Sequence, residues 1–446
     1  MYALYTLLFL LGGVGLLPHL LWRCLRGATY HRDLAERLGY GMVSSVIVQE
    51  TSGCLWFHAA SVGEVQGVRP IIAKLHTCVP ELPIVLSVFT PAGKRIAQRI
   101  IPEVVGIFVL PLDLPWLMRR MMRRLRPCAL IVQETELWPN LFHAAARQHI
   151  PVVVVNGRLS PRAFRRYQWI RPLMRCVLAD VTLCLVQSEE GARRFQHLGM
   201  DARRLQVTGN TNIDRALLAA VQPNHTHPLA PLVLGRRLLV AGSTHEGEES
   251  VLLSVYRRLY VHYPDLLLVL APRHLERVET VVRHVQAHDC LVVRRSQCED
   301  VQVADLAGAT AIVLDTMGEL ATLYSLCTVA FIGGSLVPIG GHNALEPAVF
   351  AKPLLFGPYM HHFPELAALL QQAGAAVQVQ GEEELYERLV YLLTHPEAGH
   401  TMGQCALAAL AANRGALERT TTAVKTLLST IFVPPLAKGG QGDLRA

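Results

Sequence analysis

The side chains best suited to chemistry stand just beyond short apolar runs. In HAASVGEVQGVRP, His58, Ser61, Gly63 and Glu64 follow the run CLWFH; Gly63 permits a tight turn, and Glu64 falls in the first turn of the next helix. A carboxylate there either complements the helix dipole or acts as a general base that takes a proton from a hydroxyl. In QETELWPN, Glu134 and Glu136 flank Thr135 after the run 129–132. Two acids at a strand end can form an acid–base pair, but Glu136 can equally begin a helix and Trp138 can belong to the core. VNGRLSPRAFRRY gathers Arg158, Arg162, Arg165 and Arg166, which form either a solvated basic face or a site for phosphate or carboxylate groups. VTGNTNID comes just before a proline-rich segment.

The second half holds four more such loops. GSTHEGEE (242–249) has the small residues of a turn that contacts phosphate, and APRHLER brings Arg273 to a strand end, where it would neutralise one. DTMGEL (315–320) puts Gly318 where a nucleotide can approach closely. In FIGGSLVPIGGHNALEPA, Gly333, Gly334, Gly340 and Gly341 precede Asn343 and Glu346. A glycine-rich loop running into a helix that starts with Asn and Glu suits the phosphate and ribose of a sugar nucleotide. One such loop is weak evidence, whereas four consistent strand-end loops in one half are not. The chain has no convincing Walker A, GxGxxG, HExxH or DxD-like pattern, and its histidines lack metal-ligand spacing, so neither a metal nor a cofactor is expected.

These loops need strands to hold them. Apolar runs at 54–58, 84–89, 129–132, 152–155 and 182–186 alternate with helical patterns, and a second series follows at 238–241, 266–271, 311–314, 329–332 and 353–356. Continuous apolar runs separated by helices predict parallel sheets covered on both faces, with ligands beyond the carboxyl ends of the strands. The α/β architecture expected is two Rossmann-like domains facing a cleft, at 23–215 and 236–433, joined by a linker at 216–235 that is rich in proline. A disordered tail is expected at 434–446. Residues 2–22 are uncharged, long enough as a helix to span about 30 Å, and Arg23, Arg26 and Arg32 follow. The expectation is an N-terminal membrane anchor at 1–22 with the remaining chain in the cytoplasm.

Composition narrows the classes further. Of 446 residues, 51% are hydrophobic and 17% charged, which excludes a disordered chain. The net charge of +7 suits an anionic membrane surface or a phosphorylated substrate; no zinc-finger or RNA-binding signature supports nucleic acid. The ten cysteines form no CxxC pair and read as reduced thiols, not a disulfide framework.

Taken in order, HAASVGEV, ETELWPN, NGRLS, VTGN, GSTHEGEE, APRH, DTMGEL, FIGGS, GGHNALEP and KPLLFGPYM resemble the bacterial 3-deoxy-D-manno-octulosonic acid (Kdo) transferase family of lipopolysaccharide biosynthesis. The resemblance implies a GT-B fold and metal-independent, inverting transfer of Kdo from CMP-Kdo to the lipid A precursor, lipid IVA. A GT-B glycosyltransferase using another nucleotide sugar is the alternative. By position, Glu64 looks like the general base and Glu134 like the residue that stabilises the transition state. Pro272 and Arg273, Met317, Gly318 and Glu319, and Asn343, Ala344, Leu345 and Glu346 match the CMP-binding segments. The family usually carries Lys at the position of Asn212, a third catalytic position, so a positive charge there must come from elsewhere. The implied partners are CMP-Kdo, the lipid A precursor and anionic lipids of the inner membrane. PWLMRRMMRRLRP (115–127) mixes large apolar residues with arginines, and reads either as a surface lying on that membrane or as an ordinary helix with a solvated basic face.

Overall fold

Every residue of the run CLWFH is buried, and it forms the strand β1 (Cys54–His58) near the middle of a parallel sheet. The computed structural model describes residues 1–13, 36–39, 53–220, 227–233, 235–298 and 310–431. The chain divides into two units, one of 1–212 with 415–446 and one of 213–414.

In the first unit β1 is followed by β2 (Ile84–Val88), β3 (Val104–Val109), β4 (Pro127–Gln133), β5 (Val152–Gly157), β6 (Leu183–Val186) and β7 (Leu205–Val207), in the spatial order β3-β2-β1-β4-β5-β6-β7. In the second, β8 (Arg237–Thr244), β9 (Leu266–Pro272), β10 (Val292–Arg294), β11 (Ala311–Val313), β12 (Val329–Ile332), β13 (Leu354–Phe356) and β14 (Ala376–Gln378) lie in the order β10-β11-β9-β8-β12-β13-β14. All pairings are parallel, as sheets of fully apolar strands require. The order reverses between β1 and β4 and between β8 and β12, and in open α/β sheets such reversals open a crevice beyond the strand ends. HAASVGEV leaves β1, QETELWPN leaves β4, GSTHEGEE leaves β8 and FIGGS leaves β12.

The second domain ends earlier than expected. Helix Ala416–Ile431 belongs to the first unit, where Val424 and Leu428 join the core formed by Phe57, Ile71, Ile72 and Ile131. Its buried face has the ordinary helical spacing of a core helix, and nothing in that spacing names the unit it serves. The expected linker is partly helical, through Thr211–Ala220 and Ala230–Val233; residues 221–226 and 234, and the expected tail, lie outside the described residues.

Two segments bear on the membrane expectations. Helix Pro115–Leu125 buries Leu117, Met118, Met121, Met122 and Leu125 in the core, so only Trp116 and the arginines face outward. Its apolar side is a core face and its basic side is exposed. Among the described residues no helix is long and apolar enough to cross a membrane. Residues 2–13 are helical, and 14–22 lie outside the described residues. Tyr2 stacks on His143 at 4.1 Å and donates to Asp180 at 2.5 Å, Thr6 meets Asn140, and Phe9 joins the core. Leu4, Leu7, Leu8, Leu10 and Leu11 stay exposed.

Close backbone approach limits substitution in the second unit. A Cβ at Gly403, within helix Pro396–Ala412, would stand 1.8 Å from the Ala351 carbonyl oxygen. The Gly403→Ala variant is expected to lose about 2–3 kcal/mol through overpacking; an unchanged urea midpoint would show that the helix does not lie that close.

Candidate functional site

Glu64 is placed by the cap of its own helix. Ser61 precedes helix Val62–Cys78 and accepts from the Glu64 N–H at 3.3 Å, while the Glu64 carboxylate accepts from the Ala60 N–H at 2.8 Å and from Ser61 Oγ at 3.0 Å. This is a form of capping box, so the carboxylate both serves the helix end and sits at the sheet's reversal. Burial, and then the neighbouring charge of Glu136, push its pKa up to about 7, with Glu134 adding to the rise. Burial disfavours the ionised form, and each nearby anion disfavours it further.

The two other acids are held in different ways. Glu134 follows β4 in the left-handed region at φ 58°, and its carboxylate accepts from the Arg158 Nε at 2.9 Å. Glu136 accepts from Trp138 Nε1 at 3.0 Å, and the same oxygen lies 3.9 Å from Nε2 of the fully buried His58. His58 is fixed from behind by Ser87 Oγ at 2.9 Å, which also accepts from Trp56 Nε1 at 2.8 Å. The helix that follows, Pro139–Ala146, has no cap of its own, and the buried Asp113 accepts from its first amides, Asn140 at 2.9 Å and Leu141 at 2.8 Å. Burial raises the Asp113 pKa to about 6 against the pull of those amides.

Asn212 reaches the same place. A Cβ on Gly67, one turn beyond Glu64, would stand 3.0 Å from Gln133 Nε2 and 3.3 Å from Asn212 Oδ1. The adjacent Thr211 N–H donates to Asn156 Oδ1 at 3.0 Å, and Asn156 is itself fully buried at the end of β5. The structure therefore brings Glu64, Glu134 and Asn212 to one sheet edge. Arg158, from NGRLS, supplies a positive charge at that edge.

In the second unit a buried carboxylate shapes the glycine loop. Glu248, fully buried, accepts from the N–H groups of His245 at 2.9 Å, Gly334 at 2.6 Å, Ser335 at 2.9 Å and Leu336 at 2.9 Å. GSTHEGEE thus acts by fastening FIGGSL to the end of β8. Gly333 is required because a Cβ there would meet the Ser243 carbonyl oxygen at 2.4 Å. Glu249 takes Arg277 in a two-pronged pair at 2.8 and 3.2 Å.

The residues expected to bind nucleotide surround this loop. Pro272 ends β9, and the exposed Arg273 is anchored through its N–H to the Thr244 carbonyl at 3.0 Å. Asn343 accepts from the Leu345 N–H at 3.2 Å and donates to Glu346 Oε1 at 3.2 Å, beside the buried Ala344. Burial raises the Glu346 pKa, while Asn343, Arg215 and Arg273 draw it down. His245 and His342 meet Nε2 to Nε2 at 2.8 Å, so one must carry a proton and the other accept it. Burial and the surrounding cations push His342 down to about 4, so that ring is neutral at pH 7. Met317 and Gly318 form an exposed tip, and Glu319 lies inside it against Thr316 and Arg295. No group of His, Cys, Asp or Glu able to hold a metal occurs among the described residues.

Parallel sheets carrying such loops at both reversals define an enzyme of the double-Rossmann, GT-B-like class. Residues 32–215 match the family model of 3-deoxy-D-manno-octulosonic-acid transferase (kdotransferase). The chain is 35% identical over 404 residues to the 3-deoxy-D-manno-octulosonic acid transferase of Haemophilus influenzae, covering 90% of this chain and 92% of that protein. It is 29% identical over 416 residues to that of Bordetella pertussis, covering 92% and 95%. The chain belongs to the Kdo transferase family and is a glycosyltransferase. The solved structure of a putative UDP-N-acetylglucosamine 2-epimerase from Listeria monocytogenes shares the fold, with a TM-score of 0.62 at 16% identity over 85% of this chain and 98% of that one.

Sequence reasoning passed over Gln133, Asn156, Arg215, His227 and Arg295. Asn156, Arg215, His227 and Arg295 each meet a group far along the chain, so no local pattern marks them, and the buried amide of Gln133 has no hydrogen-bond partner among the described residues. Glu64 is expected to titrate near pH 7 in carboxyl-carbon NMR, and Glu136→Gln, which removes the main neighbouring charge, should lower that midpoint measurably. An unmoved midpoint would break the link between the two carboxylates.

Proposed function

We propose that the protein transfers Kdo from CMP-Kdo to a hydroxyl of the lipid A precursor, lipid IVA, with inversion and without a metal. The observation that carries this reading is Glu64, a carboxylate at the strand-order reversal whose pKa of about 7 suits a base that must gain and lose a proton near neutrality. Membership of the Kdo transferase family supports the donor sugar.

In this mechanism Glu64 takes the acceptor hydroxyl proton as that oxygen attacks the anomeric carbon. The bond from that carbon to the CMP phosphate breaks, and its electron pair leaves on the phosphate. Arg273 and the amides of the glycine loop and of Met317 to Glu319 receive the phosphate charge, the kind of preorganised electrostatic stabilisation that dominates such reactions. Asn343 and Glu346 hold the ribose. Glu134, paired with Arg158, steadies the charge that develops on the acceptor side, and Asn212 contributes a neutral hydrogen bond where relatives carry a cation.

The test is transfer from in-situ generated CMP-Kdo to tetra-acylated lipid A precursor, read by mass spectrometry. Glu64→Gln is expected to lower turnover by about 10²–10⁴-fold, the usual share of a general base, and the wild-type rate should fall below pH 7 as Glu64 is protonated. Full activity in Glu64→Gln would remove Glu64 from the mechanism. No product from the wild type would remove the donor or the acceptor.

The same reading places the protein on the cytoplasmic face of the inner membrane. Leu4, Leu7, Leu8 and Leu11 are exposed while Tyr2, Thr6 and Phe9 keep the helix on its unit, a disposition suited to an apolar surface. Replacing those four leucines by Ser should release the protein from anionic liposomes without unfolding it. Undiminished co-sedimentation would rule out this attachment.

A further inference from the structure

The loop Asp315 to Glu319 has a bare tip. Gly318 adopts φ 87° with nothing within 4 Å of a Cβ position, and Met317 is 82% exposed. Its two carboxylates, by contrast, turn inward and are fully engaged. Arg295, 1% exposed in the turn after β10, brings Nε to 2.9 Å from Glu319 Oε2 and donates from Nη2 to Oε1 at 3.2 Å. Nη2 makes the hydrogen bond, and Nε faces the other oxygen as a close ion-pair contact. The next residue, Ser296, donates from its N–H to Asp315 Oδ1 at 2.9 Å and from its hydroxyl to Oδ2 at 2.6 Å.

A third element reaches the same carboxylate. The buried His227 accepts the Leu229 N–H at Nδ1, 3.1 Å away, so its proton lies on Nε2, which stands 3.6 Å from Glu319 Oε2. Thr316 Oγ1 adds a bond at 2.9 Å.

We propose that Arg295, assisted by Ser296, is a positioning residue for the sugar-nucleotide donor: it occupies the Glu319 carboxylate, so that the loop offers its backbone N–H groups and no free negative charge to the nucleotide. This rests on the reading that the nucleotide binds at this loop. An uncompensated carboxylate beside an incoming phosphate would repel it, and a partly buried carboxylate stripped of its cation would pull the loop outward to reach water. Glu319 then matters through Arg295 and the loop's shape, without touching the ligand.

The test is a double-mutant cycle on the full chain with Arg295→Met and Glu319→Gln, reading CMP affinity by calorimetry, donor KM and kcat, and hydrogen exchange of a peptide spanning 315–319. Arg295→Met is expected to weaken CMP about 10-fold, to raise donor KM similarly with kcat within about 2-fold, and to speed exchange in the loop; pairs that act as a unit are non-additive. The double variant should therefore be no weaker than Arg295→Met, and Arg295→Lys, with charge but no fork, should recover part of the loss. Additive losses would mean that Glu319 meets the nucleotide independently of Arg295, and would overturn the proposal. So would unchanged CMP affinity and loop exchange in folded Arg295→Met. Should that variant not fold, Arg295→Lys and Ser296→Ala face the same readouts, and wild-type values in both would overturn it. If the wild type binds no CMP, the donor reading fails and exchange alone judges the latch: faster exchange in Arg295→Met sustains it and unchanged exchange defeats it.

Discussion

A strand covered on both faces can offer chemistry only at its ends. That constraint governs both units. β1 and β12 are wholly buried, and so are most residues of β4 and β8. Side chains along such strands are committed to packing, and the reactive groups collect where the chain leaves the sheet. The strand orders then select which ends matter, because only at a reversal do the loops on either side diverge enough to leave a crevice.

The two units use charge in opposite ways at those ends. In the first, Glu64 keeps a carboxylate whose hydrogen bonds only partly offset burial and like charge, and it holds its proton far more readily than an exposed glutamate. In the second, carboxylates serve as framework: Glu248 accepts backbone amides, Glu249 meets Arg277 and Glu319 meets Arg295. The same residue type therefore appears in both roles, separated by the number and kind of its donors.

Much of this was legible in advance where the signal is local. CLWFH and the run at 329–332 became strands with the expected bounds, and HAASVGEV, QETELWPN, GSTHEGEE and FIGGS lie at strand ends. Four strands escaped notice. β7, β10 and β14 are three residues long and each includes a polar residue, Gln206, Arg294 and Gln378, whereas the equally short β11 and β13 are wholly apolar; β3 mixes buried with exposed positions around Gly106. The site was legible as a set of loops, not as an arrangement. GSTHEGEE read as a phosphate turn because its residues are small, yet its Glu248 works inward on FIGGSL, across 86 residues to Gly334. Helix 115–125 had two readings because its composition names no direction; only the fold shows its methionines in the core and its arginines exposed.

The return of the last helix to the first unit has a consequence for the order of assembly. Domains tend to fold as they emerge during synthesis, but the first unit's core is incomplete until Val424 and Leu428 have been made. The second unit, contiguous from 213 to 414, has all its residues before that. On the ribosome the part begun first is the part finished last, and the patch that helix Ala416–Ile431 covers, beside helix Val62–Cys78 and β5, waits while the second unit already has all its residues.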